Sequence, residues 1–251
     1  MIGDIHFYVI AVPALMLMGV SKGAFGSGIG SLATPMLALI VPPMDAAAIV
    51  LPILCTMDAM GIWSYRGKWS WPQLRYLLPG AVLGIAIGTL TAGLFDGRTI
   101  GLLIGALAVV FSLDWFLRRG SSRPPQPSHR GRASLWAVVS GFTSFIAHAG
   151  GPPLSAYLLP QRLDRTVYAA TAVMFFTLVN IVKLVPYAGL GLFHEGNLWT
   201  TLVLLPVAPA GMGMGLWLHD KIPAVPFYRI CYVMVFASGV KLVIDNIGVL
   251  A

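Results

Sequence analysis

Lys22, Asp58, His148 and Lys183 stand inside apolar runs, and Asn180 lies one turn before Lys183. An ammonium at such depth either neutralises an anionic substrate or snorkels to the headgroups. A buried carboxylate must find a partner or keep a proton, so Asp58 reads either as a proton-coupling group or as a helix-bonding one. His148 has three uses: hydrogen-bond donor, proton carrier, or partner of a buried carbonyl. Lys183 is a second cation for the same anion or a partner for Asp58. Around Lys22 and His148 run two stretches, GVSKGAFGSGIGSLATP from Gly19 to Pro35 and GFTSFIAHAGGPP from Gly141 to Pro153. Their glycines, prolines and hydroxyls lie where a membrane chain should read Leu, Ile or Val. Irregular backbone survives at that depth only where protein or a wet cavity satisfies its N–H and C=O groups, which marks both stretches as the substrate site. Ser21, Ser27, Thr34, Thr143 and Ser144 are neutral donors that either line an oxyanion site or cap short helices.

No HExxH, CxxC or Walker motif is present, so neither an enzyme nor a self-contained ATP-driven pump is expected. Cys55 and Cys231 lie far apart in apolar runs and read as packing residues, so no disulfide or metal site is expected, and no cofactor. What remains is binding and movement of a small charged solute.

The elements that position these residues follow from composition. Of 251 residues, 57% are hydrophobic and 10% charged, with a mean hydropathy of +0.83, which is the profile of an integral membrane protein. The net charge of +7 comes from basic residues between hydrophobic runs, which argues for membrane topology and against nucleic acid. The N-terminal MIGDIHF lacks a basic n-region, so the first apolar run is expected to be retained. Spans are predicted at 46–64, 73–94, 99–117, 167–188, 198–218 and 226–248. The regions 5–40 and 134–159 are too long for one helix and are expected to be broken hairpins. Glycines 80, 84 and 88, glycines 97, 101 and 105, and glycines 211 and 215 recur every four residues, the spacing of close helix packing. Three glycines in Gly26–Gly30 weaken a helix by about 1 kcal/mol each and favour a break, whose freed amides would face an anion.

The Arg- and Pro-rich segment 118–132 reads as a cytoplasmic linker by the positive-inside rule. The loops with Arg66, Lys68 and Arg75, with Arg162 and Arg165, and with Lys221 and Arg229 then fall on the same side. The halves 1–117 and 133–251 match at an offset of 122 residues: Gly19 with Gly141, Gly28 with Gly150, Asp58 with Asn180, Tyr65 with Tyr187. After a five-residue shift Leu77, Leu78, Pro79, Gly84 and Gly88 match Leu204, Leu205, Pro206, Gly211 and Gly215. An odd number of crossings per half makes this an inverted repeat, a plan of secondary transporters. The expected fold is therefore an all-α polytopic membrane protein of two inverted repeats, each a broken-helix hairpin plus three transmembrane helices.

These motifs resemble the TauE/SafE (TSUP) family of sulfite exporters and anion permeases, and the resemblance covers essentially the whole chain. It implies a polytopic permease with duplicated halves that moves sulfite, thiosulfate or organosulfonates. It implies further that Lys22, Gly23, Gly26, Gly28 and Gly30, with Gly150, Gly151 and Pro152, flank the substrate path. The expected activity is export of a small anion by alternating access, with an anion channel, a proton-coupled uptake permease and a non-transporting membrane assembly protein as alternatives. The expected setting is the bacterial inner membrane, as monomer or homodimer, with the bilayer and a small anion as partners.

Overall fold

The computed structural model describes residues 2–25, 33–92, 94, 96–117, 127–218, 221 and 224–247. Eleven α-helices run in order among them: α1 Ile5–Phe25, α2 Ala33–Leu37, α3 Pro43–Tyr65, α4 Trp71–Ala92, α5 Gly97–Leu117, α6 Arg130–Ala147, α7 Gly151–Leu158, α8 Arg165–Gly189, α9 Glu195–Leu204, α10 Val207–Leu218 and α11 Ala224–Ile247. A single 3₁₀ turn, Leu159–Gln161, follows α7. There is no strand among the described residues. Among the described residues, five segments are long and apolar enough to cross a bilayer: Ile5–Ala24, Pro43–Tyr65, Trp71–Ala92, Thr166–Gly189 and Glu195–Leu218. The chain is an all-α polytopic integral membrane protein.

Helix starts are set by local chemistry. Asp164 Oδ1 accepts the Thr166 and Val167 amides at 2.9 and 3.3 Å to cap α8. Asp96 accepts the Thr99 amide at 2.8 Å ahead of α5, and α3 begins on Pro43, whose missing N–H is harmless in a first turn. The predicted single span 198–218 is two helices, α9 and α10, separated at Leu205 and Pro206, whereas Pro79 at the matching position lies inside an unbroken α4. The second half carries an additional Pro209. Two absent amides within four residues cannot be carried mid-helix, but a restart at Val207 places Pro209 in a first turn, where it is tolerated.

The region 134–159 is broken as expected. Helix α6 ends at Ala147, His148 takes a left-handed conformation at φ 52°, and α7 begins at Gly151. The His148 amide bonds the Ser144 carbonyl and the Ala149 amide the Thr143 carbonyl, both at 3.1 Å, so the freed end is satisfied. At eight residues, α7 is about 12 Å long and does not cross the hydrocarbon by itself. In the first half, the break expected around Gly26–Gly30 lies outside the described residues, between α1 and the five-residue α2.

Helix α3 lies along α8 at the centre, with α1 on α10, α4 on α6 and α5 on α11. The glycine faces make these contacts close. A Cβ at Gly19 would fall 2.9 Å from the Gly211 backbone, and one at Gly80 would fall 2.6 Å from the Ser134 carbonyl. The contacts come in related pairs. Gly84 on α4 abuts the Val138 carbonyl of α6, and Gly211 on α10 abuts the Met16 carbonyl of α1. Tyr65 donates to the Gly23 carbonyl at 3.1 Å and Tyr187 to the Phe145 carbonyl at 2.5 Å, each across 42 residues. On the outer surface Trp63, Leu90, Leu117, Val185, Trp199 and Trp217 are exposed, as lipid-facing side chains must be. Arg66 stacks on Trp63 and Lys221 on Trp217, the pairing of aromatic ring and cation that an interface favours.

Candidate functional site

Two polar clusters meet where α1, α3, α6 and α8 converge. In the first, Lys22 Nζ on α1 lies 2.5 Å from Asp58 Oδ1 on α3, and Asn180 Nδ2 on α8 donates to Asp58 Oδ2 at 2.7 Å. Asp58 Oδ1 has no aligned hydrogen bond, so its contact with Lys22 is held by charge rather than by direction. All three side chains are buried.

The second cluster is built around the break. Lys183 Nζ on α8 donates to the Ser144 carbonyl at 2.9 Å and to Ser144 Oγ at 3.1 Å, and it lies 2.6 Å from His148 Nδ1. His148 Nε2 sits 2.9 Å from the Ala47 carbonyl of α3. A carbonyl only accepts, so Nε2 carries the hydrogen and Nδ1 offers its lone pair to the ammonium, which assigns the neutral Nε2–H tautomer. The three ammonium hydrogens thus have three acceptors, none of them charged. With Lys183 entirely removed from solvent, this satisfaction is what makes its burial tolerable.

The buried charged side chains among the described residues are Lys22, Lys183 and Asp58. With both lysines protonated, two cations stand beside one carboxylate and the centre carries one positive charge in excess. Buried charge is stable only when balanced, and a small anion would balance this one.

The remaining expected site residues fall into distinct roles. Ser144 and His148 belong to the centre. Lys183 goes to these two, whereas Asp58 is partnered by Lys22 and Asn180, so the sequence-level pairing of Lys183 with Asp58 is replaced by two separate straps. Thr34 on α2 is fully buried and its hydroxyl has no partner among the described residues. Gly23 is a packing residue, since a Cβ there would stand 2.5 Å from the Met212 carbonyl, and its own carbonyl takes the Tyr65 hydroxyl. Thr143 Oγ1 reaches the Ala149 carbonyl at 3.0 Å and Ser140 Oγ donates to the Gly150 carbonyl at 2.8 Å, both stitching the break closed. Gly150 is needed because a Cβ would meet the Ser140 carbonyl and the Phe176 ring. Gly151, Pro152 and Pro153 open α7, and the two prolines carry no N–H, so this helix start offers fewer donors than an ordinary one. Ser27, Gly28 and Gly30, with Gly26, lie outside the described residues.

The family described as sulfite exporter TauE/SafE matches the chain over residues 11–242. The chain belongs to that family. The matched range holds both clusters, so the buried charge excess sits within the TauE/SafE region. No curated protein and no solved structure matches the chain. Membership in TauE/SafE makes the protein one of a membrane transporter family, in agreement with its helices.

Sequence reasoning missed Ser140, the Ala47 carbonyl and the hydrogen-bonding of Tyr65 and Tyr187. The tyrosines carried a signal: two hydroxyls in apolar helices at matching positions must each find a buried acceptor.

Proposed function

We propose that the protein is a secondary transporter that exports a small anion such as sulfite, thiosulfate or an organosulfonate by alternating access. In this reading residues 1–117 and 133–251 are inverted repeats, joined by the basic cytoplasmic linker 118–132 in a bacterial inner membrane. The paired tyrosine and glycine contacts support the repeat, because each recurs between the halves at the sequence offset. The observation that carries the reading is the burial of two lysines, Lys22 and Lys183, with a single carboxylate, Asp58, which leaves one positive charge in excess when both amines are protonated.

The substrate anion sits near Lys22 and Lys183, assisted by hydroxyls of the two broken stretches, while rocking of the halves opens it to either side. With the cytoplasm negative, a potential of about 100 mV contributes about 2.3 kcal/mol per charge toward anion export, so a monoanion needs no coupling ion. Family membership supports the sulfur-anion class.

The test is flux of labelled sulfite and thiosulfate into proteoliposomes holding the purified chain. Saturable uptake accelerated by anion on the opposite side is expected. Single-channel conductance steps would replace the carrier with a channel, and absence of flux from folded protein would overturn transport.

A further inference from the structure

We propose that Asp58 is an exchangeable counter-ion, which Lys22 gives up when substrate binds, so that the centre carries a monoanion alone but a dianion together with one proton. This rests on the transporter reading above and adds a rule for the valence of its cargo.

The geometry separates the two oxygens of Asp58. Oδ2 is anchored by the neutral Asn180 amide at 2.7 Å, and Oδ1 touches only Lys22 among the described residues, without an aligned hydrogen bond. If Lys22 turns to a substrate, the carboxyl group therefore stays in place on Asn180. Asn180 can donate to a carboxylate and also to the carbonyl oxygen of a carboxylic acid. Oδ1 is thus free to take a proton without losing the anchor. Lys183 does not move in this exchange, because its three hydrogens are held by Ser144 and His148.

Charge balance then fixes the stoichiometry. With both lysines charged and Asp58 ionised, one monoanion makes the centre neutral. A dianion leaves it negative unless Asp58 is protonated. That proton comes from the water on the side where the dianion binds, resides on Oδ1, and departs with the dianion on the other side. Either cargo therefore moves one net negative charge per turnover. The neighbours of Asp58 support this assignment. Lys22 faces it from α1, Asn180 and Lys183 from α8, with Cys55 one turn earlier on α3 and His148 behind Lys183. Of the other helices packed on α3, α2 and α10 carry no ionisable residue. Those of α5, α6 and α9 stand toward helix ends, as Arg98, Asp114, Arg130, Arg132 and Glu195. His6 and Tyr8 of α1, with Arg165 and Tyr168 of α8, lie near the starts of their helices, and Tyr187 is engaged with Phe145.

The experiment uses the full chain in proteoliposomes, with methanesulfonate as monoanion and thiosulfate as dianion, and reads charge and proton stoichiometry from reversal potentials under imposed voltage and pH gradients. Wild type is expected to move one proton with each thiosulfate, none with methanesulfonate, and one net charge with either. Asp58→Asn fixes the neutral form: thiosulfate should then move two charges and no proton, while methanesulfonate flux falls by about tenfold or more because a cation is left unbalanced. Asp58→Glu keeps a titratable group and should keep the proton. Wild-type thiosulfate moving two charges without a proton, or unchanged stoichiometry in a folded Asp58→Asn, overturns the proposal. Should Asp58→Asn fail to fold, the wild-type stoichiometries decide it alone. Absence of saturable flux for both anions in wild type would instead overturn the transporter reading.

Discussion

Asp58 and Asn180 are 122 residues apart in sequence and hydrogen-bonded at 2.7 Å. The same separation relates Tyr65 to Tyr187 and Lys22 to Ser144. This bond joins the two long helices α3 and α8 where they pack together. The flanking straps then differ in one respect. Lys22 reaches from α1 to Asp58 on α3, whereas Lys183 reaches from α8 back to Ser144 on α6. The two lysines thus tie α1 to α3 and α8 to α6.

Asn180→Leu removes the anchor of a buried carboxylate. A hydrogen bond to a charged group contributes about 1.5–3 kcal/mol, and a loss of that order is expected in the unfolding free energy in detergent. Asn180→Asp places two carboxylates in contact, and one of them must then hold a proton. Anion flux in that variant should become steeply pH-dependent. Unfolding curves and flux across a pH series check both.

Tyr65→Phe and Tyr187→Phe each free one buried carbonyl, Gly23 or Phe145. A cost of about 1–3 kcal/mol is expected for each. Because the partners correspond, the two losses should be similar, and their effects should add, the two bonds sharing no residue. Chemical denaturation of the single and double variants measures this.

The close glycine faces predict a sharp contrast. Gly211→Ala would press its Cβ to 3.0 Å from the Met16 carbonyl, and Gly84→Ala would meet the Val138 carbonyl still more tightly. Overpacking of this kind costs about 1–3 kcal/mol. Gly213, two residues further along α10, has open space around it, so Gly213→Ala should gain up to about 1 kcal/mol from helix propensity. Thermal unfolding of the three variants distinguishes packing from composition.

Asp96 lies outside the spans, where the Thr99 side chain and then its amide hold the carboxyl below the usual carboxylate range. A depressed native value means that the unfolded chain binds the proton more readily, so the stabilisation is full above the ordinary aspartate range and fades as pH falls through the native value. Asp96→Ala should lower the melting temperature near neutral pH and flatten this acid-side dependence, with flux unchanged. Melting curves from neutral to acid pH check it.

The spans 46–64, 73–94 and 167–188 and the polar residues within apolar runs were readable because apolar length and residue type are both sequence properties. Lys22, Asp58, Asn180, Lys183, Ser144 and His148 stand out as the wrong residue types for their depth, and the structure brings all six together. Which lysine takes which partner was not readable, since it depends on how α1 and α8 lean against α3. The bonds of Tyr65 and Tyr187 were equally hidden, their acceptors being backbone carbonyls that no side-chain pattern announces. The hinge between α9 and α10 was hidden by the likeness of Pro206 to Pro79, and Pro209 distinguishes them only once helix starts are known.

The most direct measurement of the central claim is equilibrium binding of thiosulfate to purified wild type and Lys183→Met, read by thermal shift and calorimetry. Methionine keeps the length and removes the charge, leaving Lys22 and Asp58 balanced. The account predicts stabilisation of wild type, about 2.7 kcal/mol at a hundredfold excess over Kd, and its loss in a folded Lys183→Met. Equal affinity of the two proteins would contradict it.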